Sequence, residues 1–264
     1  MKNIGTALIA VGSFLVVKIL FVFIMMSGDS ILVELGLGGI SQAMVSALST
    51  IFSSILILLI FYYWRPLADL LDRWRSLSFG YVMLGLALGW TALALNSFML
   101  SVLMDNQAEA LNSSLPLLDA GILGLVGTVI LVPIVEEVVF RRVLIGSLSR
   151  NMHPYVAIFI SAVIFGLLHG TSVQILGATV MGLIFGWLYY KSNSILPSIL
   201  LHVFNNGFFM YMLFQYKENG PSVLNVNYLS FTFDNPYGVY LFLGLTLLFG
   251  CLMWVFNKKS KAIE

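Results

Sequence analysis

Eight times along this chain a largely apolar stretch of about twenty residues recurs, at about 6–27, 39–64, 80–104, 119–146, 154–172, 173–190, 194–214 and 237–256. A helix needs about 20 apolar residues to cross the hydrocarbon of a bilayer. Lipid offers backbone groups no partners, so irregular chain cannot cross it. Of the 264 residues, 59% are hydrophobic and 9% charged, against about 25% charged in soluble domains. A soluble core of this length could not enclose so much apolar surface. The predicted fold class is therefore all-α: a polytopic transmembrane helical bundle of about eight spans in a cell membrane. The first run resembles a signal peptide, but it is too long, carries Lys18 in its middle and ends in "MMSGDS" without a small-x-small cleavage site. It is read as a span.

Basic residues mark the cytoplasmic side of a membrane protein. With the N-terminus inside, the inner segments hold Lys2, Arg65, Arg73, Arg75, Arg141, Arg142, Arg150, Lys191, Lys258, Lys259 and Lys261. Of the 13 basic residues only Lys18, within a span, and Lys217, in an outer loop, fall elsewhere. Both termini are thus predicted to be cytoplasmic. The single cysteine, Cys251, allows no intrachain disulfide.

Three regions follow. Residues 1–118 hold the first three spans, with a surface helix near 65–79 where Leu67, Leu70, Leu71 and Trp74 recur at helical spacing. Residues 119–212 carry the polar residues of interest. Residues 213–264 comprise an outer loop, the last span and a basic tail. In the sixth run Ala178, Gly182 and Gly186 fall four apart, a spacing that lets two membrane helices approach closely.

An ionisable residue inside a membrane costs about 2.5–3.5 kcal/mol on insertion scales and calls for a reason. A lone lysine such as Lys18 ordinarily snorkels to the surface or pairs once. In "IVEEVVFRRVL" (134–144), Glu137 and Arg141 stand four apart with the acid first, the better order for an ion pair. Glu136 lies about 140° round the axis from Arg141 and has no partner in its own helix. Measured from Ala120, Glu136 is about 24 Å of helix rise into the span, short of the far surface. His169, His202 and Asn206 lie in other spans, the last two sharing a face four residues apart. The cost of leaving any of them alone in lipid draws Glu136, His169, His202 and Asn206 toward one site.

That set suits hydrolysis. A glutamate withheld from water is a fit general base. Imidazoles and a carboxamide can donate to a developing oxyanion. Alternatively, Glu136, His169 and His202 make a zinc ligand set, leaving one position for water. H-E-x-x-H and G-x-S-x-G motifs are both missing from the sequence, so a serine hydrolase has no support.

The motifs "EEVVFR" (136–141), "FGLLH" (165–169) and "HVFNN" (202–206), in that order on membrane helices, resemble E-E-x-x-x-R, F-x-x-x-H and H-x-x-x-N of the CAAX-protease and bacteriocin-processing (CPBP, or Abi) family of intramembrane proteases. The resemblance covers about 119–212. It implies a water-activating role for Glu136, support from Glu137 with Arg141, a partner on the water in His169, and oxyanion donors in His202 and Asn206. The family is named as metalloproteases, and a metal-free glutamate mechanism is also argued for it. If zinc takes Glu136 while Arg141 holds Glu137, no carboxylate is left as base, which favours the metal-free form. The implied partner is a membrane-associated peptide or protein of the CAAX, bacteriocin or pheromone class, alongside the lipid bilayer; no nucleic acid is expected. A non-enzymatic immunity or scaffold protein and a proton-coupled transporter are the alternatives, and transport lacks the repeated halves that it favours.

Two depths conflict in this reading. His169 lies about 22 Å from the cytoplasmic end of its span and His202 about 12 Å. They meet if the fifth helix tilts or starts deep, or if the turn "HGTS" dips into the protein. Reporter fusions at residues 110 and 262 are expected to locate to opposite sides of the membrane; the same side for both would overturn the topology.

Overall fold

The computed structural model describes residues 2–36, 39–63, 79–103, 107–220 and 236–261. The surface helix expected near 65–79 lies outside the described residues except for its last position, and so does most of the outer loop. Among the described residues, helical segments occupy all eight apolar runs. They are α1 (Lys2–Glu34), α2 (Gln42–Tyr63), α3 (Phe79–Leu103), α6 (Gly121–Leu148), α7 (Pro154–Leu167), α8 (Ser172–Ser192), α9 (Leu196–Asn219) and α10 (Pro236–Lys261). Two short helices, α4 (Gln107–Ser114) and α5 (Pro116–Asp119), precede α6. Among the described residues five helices are long and apolar enough to cross a membrane, and shorter apolar stretches lie in α3, α7 and α10. The protein is a multi-pass helical membrane bundle.

α6 organises the core. Its buried Val135, Val139, Phe140 and Leu144 meet Ala10, Phe14 and Val17 of α1, Ile57 and Phe61 of α2, and Ile158 and Phe165 of α7. A second cluster joins Leu88 of α3, Phe185 and Leu188 of α8, Leu201 of α9 and Phe256 of α10. α1 is apolar all round, so its sequence carries no sign of an inner face. The structure supplies one: Ala10, Phe14 and Val17 turn inward, while Leu8, Val16, Ile19 and Phe23 are exposed toward lipid.

α6 is not a regular α-helix. It widens to i→i+5 bonding at Val126–Leu131 and again at Val138–Ile145, and such π turns concentrate at functional sites. Pro133 gives the first a physical cause. Proline lacks an N–H, and in an α-helix its ring crowds the carbonyl four residues back. In the widened register Val132 N–H donates to the Gly127 carbonyl, and the next donor in line would be the nitrogen of Pro133. The Thr128 carbonyl is left open, and Asn206 Nδ2 on α9 donates to it at 2.9 Å. In the second π turn the buried Ser161 hydroxyl of α7 donates to the Phe140 carbonyl at 2.9 Å. Side chains of neighbouring helices thus pair with carbonyls of α6 as buried polar groups require.

The fifth run departs from expectation. The helix is 14 residues long and stops at Leu167, so His169 stands in the turn before α8 rather than on a helix. Thr171 and Gln174 form a reciprocal capping box that starts α8 there. Gln174 Nε2 also donates to Ser114 Oγ of α4 at 3.4 Å, tying the turn to the outer short helix.

Close packing of α7 on α8 follows from their small residues. A methyl on Gly182 would lie 3.2 Å from Ala162, and one on Gly186 would meet Ile158 at 2.9 Å. At Gly166 the added carbon would stand 2.7 Å from the Ile175 carbonyl oxygen and overlap the Thr179 hydroxyl. Gly166→Ala must part the two helices, at an overpacking cost of about 1–3 kcal/mol. Gly12→Ala, with open space around the new methyl, should cost nothing and slightly favour the helix. Melting curves in detergent for the two variants check the contrast.

Candidate active site

The two adjacent glutamates of α6 point to different neighbours. Glu137 is fully buried. Its Oε2 lies 3.1 Å from Arg141 Nε and its Oε1 2.9 Å from His202 Nδ1. The Arg141 contact is an ion pair by distance, bent away from the line that a hydrogen bond requires. The guanidinium is also fully buried, and its Nη1 and Nη2 find no hydrogen-bond acceptor among the described residues. Aromatic faces surround it instead: its central carbon lies 4.5 Å from the Phe165 ring, 5.3 Å from Phe185 and 5.9 Å from Phe140. A desolvated cation over such faces gains about 2 kcal/mol.

Glu136 faces the other way. Its Oε1 is 3.4 Å from Lys18 Nζ of α1, and its Oε2 is 3.8 Å from His202 Nε2. It lines a cleft of about 290 Å³ together with Lys18, His169, Gln174, Phe14 and Phe165. Glu137, Arg141, His202 and Asn206 are not among the residues that line this cleft.

The hydrogen bonds fix both imidazoles. A carbonyl only accepts, so His169 Nδ1, 2.9 Å from the Phe165 carbonyl, carries a proton. Glu137 held by the permanently charged Arg141 is an acceptor, so His202 Nδ1 donates to it. His202 is further clamped by the Phe185 ring, stacked at 4.8 Å and 25°. Phe165 stands between the two histidines, its ring 4.9 Å from that of His169 and 5.7 Å from that of His202.

The structure therefore brings Glu136, Glu137, Arg141 and His202 into direct contact and sets His169 on the wall of the cleft that Glu136 lines. Asn206 is separate: its Nδ2 serves the Thr128 carbonyl, and its Oδ1 accepts from Asn205 Nδ2 at 3.3 Å. Among the described residues no three His, Cys, Asp or Glu side chains are grouped as metal ligands would be.

Three participants escaped the sequence reading. Lys18 was visible as an intramembrane charge, yet nothing in an evenly apolar helix tied it to a residue 118 positions away. Phe165 was visible in its motif, though its place as the shared wall of both histidines and Arg141 was not. Gln174 carried only the signal of a capping box with Thr171.

The fold and the buried polar cluster define a class: a polytopic helical membrane protein with an acid–imidazole site in its interior. Residues 118–208, the segment that carries the three motifs, match the family model described as Type II CAAX prenyl endopeptidase Rce1-like. Over 116 residues the chain is 31% identical to a protein of Bacillus subtilis (strain 168) named "Putative membrane peptidase YdiL", covering 44% of this chain and 48% of the relative. Over 74 residues it is 36% identical to "UPF0177 protein YxdF" of Lactococcus lactis subsp. lactis (strain IL1403), covering 28% of this chain and 40% of the relative. The chain thus spans less than half the length of these curated relatives. No solved structure matches.

Removing one partner of a buried ion pair costs about 3–5 kcal/mol, because the other charge is left uncompensated. Glu137→Gln is expected to lose stability on that scale, with Arg141 stranded among its rings. Arg141→Met in the same background should recover most of the loss, as read by melting in detergent.

Proposed function

We propose that this protein is an intramembrane endopeptidase that hydrolyses a peptide bond of a membrane-associated peptide or protein, with Glu136 activating the water. The observation that carries the reading is the division between the two glutamates. Glu137 is enclosed by Arg141 and His202 and is spent on holding them. Glu136 opens on the cleft and keeps Oε2 3.8 Å from His202 Nε2.

In the proposed reaction a water molecule in the cleft gives a proton to Glu136 while its oxygen attacks the scissile carbonyl carbon. The carbonyl π electrons move onto oxygen, and donors around the cleft stabilise the resulting oxyanion. His169 presents Nε2, the acceptor face of its imidazole, and so can orient that water through its second hydrogen. As the oxyanion collapses, the C–N bond breaks and Glu136 returns its proton to the departing amine nitrogen. The products are a carboxylic acid and an amine, and the glutamate ends as it began. Glu137 and Arg141 hold His202 in one tautomer throughout.

The Rce1-like family match and the membrane-peptidase name of the Bacillus relative support a protease of the CAAX type. The proposed substrates are accordingly peptides anchored in or at the membrane, of the CAAX, bacteriocin or pheromone-processing class. The proposed mechanism is metal-free.

The test is cleavage of a panel of co-expressed membrane-anchored reporter peptides, followed by kinetics on the peptide that the wild-type protein cleaves. General-base assistance contributes about 10²–10⁴ in rate, so Glu136→Gln should lose at least about 100-fold in turnover per folded molecule while accumulating normally. Activity that survives a strong chelator, in protein free of stoichiometric metal by elemental analysis, is the expected companion result. Full activity in Glu136→Gln would overturn the assignment, and loss of activity on chelation would overturn the metal-free step.

A further inference from the structure

Lys18 belongs to none of the three motifs and lies outside the matched segment 118–208. Its ammonium nevertheless stands 3.4 Å from Glu136 Oε1. Lysine's flexible stem ordinarily carries the charge out to the interface. Here two contacts hold it in: Glu136 on α6, and the ring of Phe14, one turn back on α1, with Nζ 4.5 Å above its centroid.

The charges account for this. Counted with both imidazoles neutral, as the proposed reaction uses them, Glu136, Glu137 and Arg141 by themselves leave one negative charge in excess. Lys18 brings the cluster to neutrality, and a cluster without net charge is the form that a low-dielectric interior tolerates. The two cations are matched to the two acids in different ways. Arg141 is sealed, with its side chain at 0% exposure, whereas that of Lys18 is 30% exposed and lines the cleft beside the carboxylate that it pairs with.

We propose that Lys18 is a positioning residue of the site: its ammonium is the counter-ion of Glu136 and fixes Oε1, leaving Oε2 directed at His202 and the water of the reaction. The inference rests on the hydrolase reading above and extends it. It makes the first span, which the family segment does not include, part of the catalytic architecture. It also explains why Lys18 occupies the helix face that carries Phe14 rather than the lipid face of α1.

The experiment compares Lys18→Met, Lys18→Arg, Glu136→Gln and the double variant Lys18→Met/Glu136→Gln in detergent, by melting and by kinetics on the reporter peptide that wild type cleaves. Lys18→Met is expected to lower kcat by about 10- to 100-fold, a share of the general-base contribution, with KM changed less than about twofold. Lys18→Arg keeps the charge and should recover most of kcat. Lys18→Met should also melt lower than wild type, and adding Glu136→Gln should raise the melting temperature again, since contacting residues are not additive. If Lys18→Met alone does not accumulate, recovery of folded protein in the double variant reads out the same coupling.

Additive melting shifts would overturn the pairing. A wild-type kcat in Lys18→Met, a loss confined to KM, or no recovery with Lys18→Arg would overturn the positioning role. A rise in turnover would do the same, by making the ammonium a restraint on Glu136. If wild type itself cleaves no reporter peptide, the hydrolase reading fails with the positioning role that rests on it. The pairing is then decided by the melting temperatures alone.

Discussion

Everything in this interior hangs on the compensation of Glu137 by Arg141. Two opposite charges, both withdrawn completely from solvent, are tolerable in an apolar medium only together and only with their remaining valences met. The protein answers with His202 on one carboxylate oxygen and, in place of hydrogen-bond acceptors, aromatic faces around the guanidinium. Phe140, Phe165 and Phe185 come from α6, α7 and α8, so a single cation draws three helices to one point. Phe165 also packs against both histidines, and Phe185 against His202. A pair four residues apart on one helix thereby becomes the hinge between local sequence and tertiary arrangement.

The division of labour between the adjacent glutamates was legible from helical geometry alone. One lies a turn from an arginine and the other does not, and the structure keeps that difference. The eight apolar runs and the close approach of α7 and α8 through glycine were legible for equally direct reasons, namely length and the size of a missing side chain. Partners across helices were not. Lys18 sits on a helix apolar on every face, where periodicity has nothing to report, and only folding could bring it to Glu136. The register of α6 was also hidden, because counting at 100° per residue assumes an unbroken α-helix. Pro133 was the available sign that it would break.

That break links two features that look unrelated in sequence. A proline in the fourth span opens the Thr128 carbonyl, and an asparagine in the seventh closes it. Family resemblance implies an oxyanion role for Asn206, while in this structure its amide docks α9 onto the widened turn of α6. The contact lies one helical turn beyond His202 on the same face. It therefore sets the azimuth of α9 and with it the direction in which His202 points.

The short helix α7 has a consequence for the bilayer itself. Fourteen residues rise about 21 Å, against a hydrocarbon thickness of about 30 Å, and Tyr155, Val156, Phe159 and Leu167 expose this helix to lipid. Mismatch of that size is relieved by thinning the adjacent leaflet or by wetting the unfilled depth. Both bring the aqueous phase nearer to the turn that carries His169. The hydrolysis proposed for this site consumes a reactant that lipid excludes, and along this edge the protein shortens the distance which that reactant must travel.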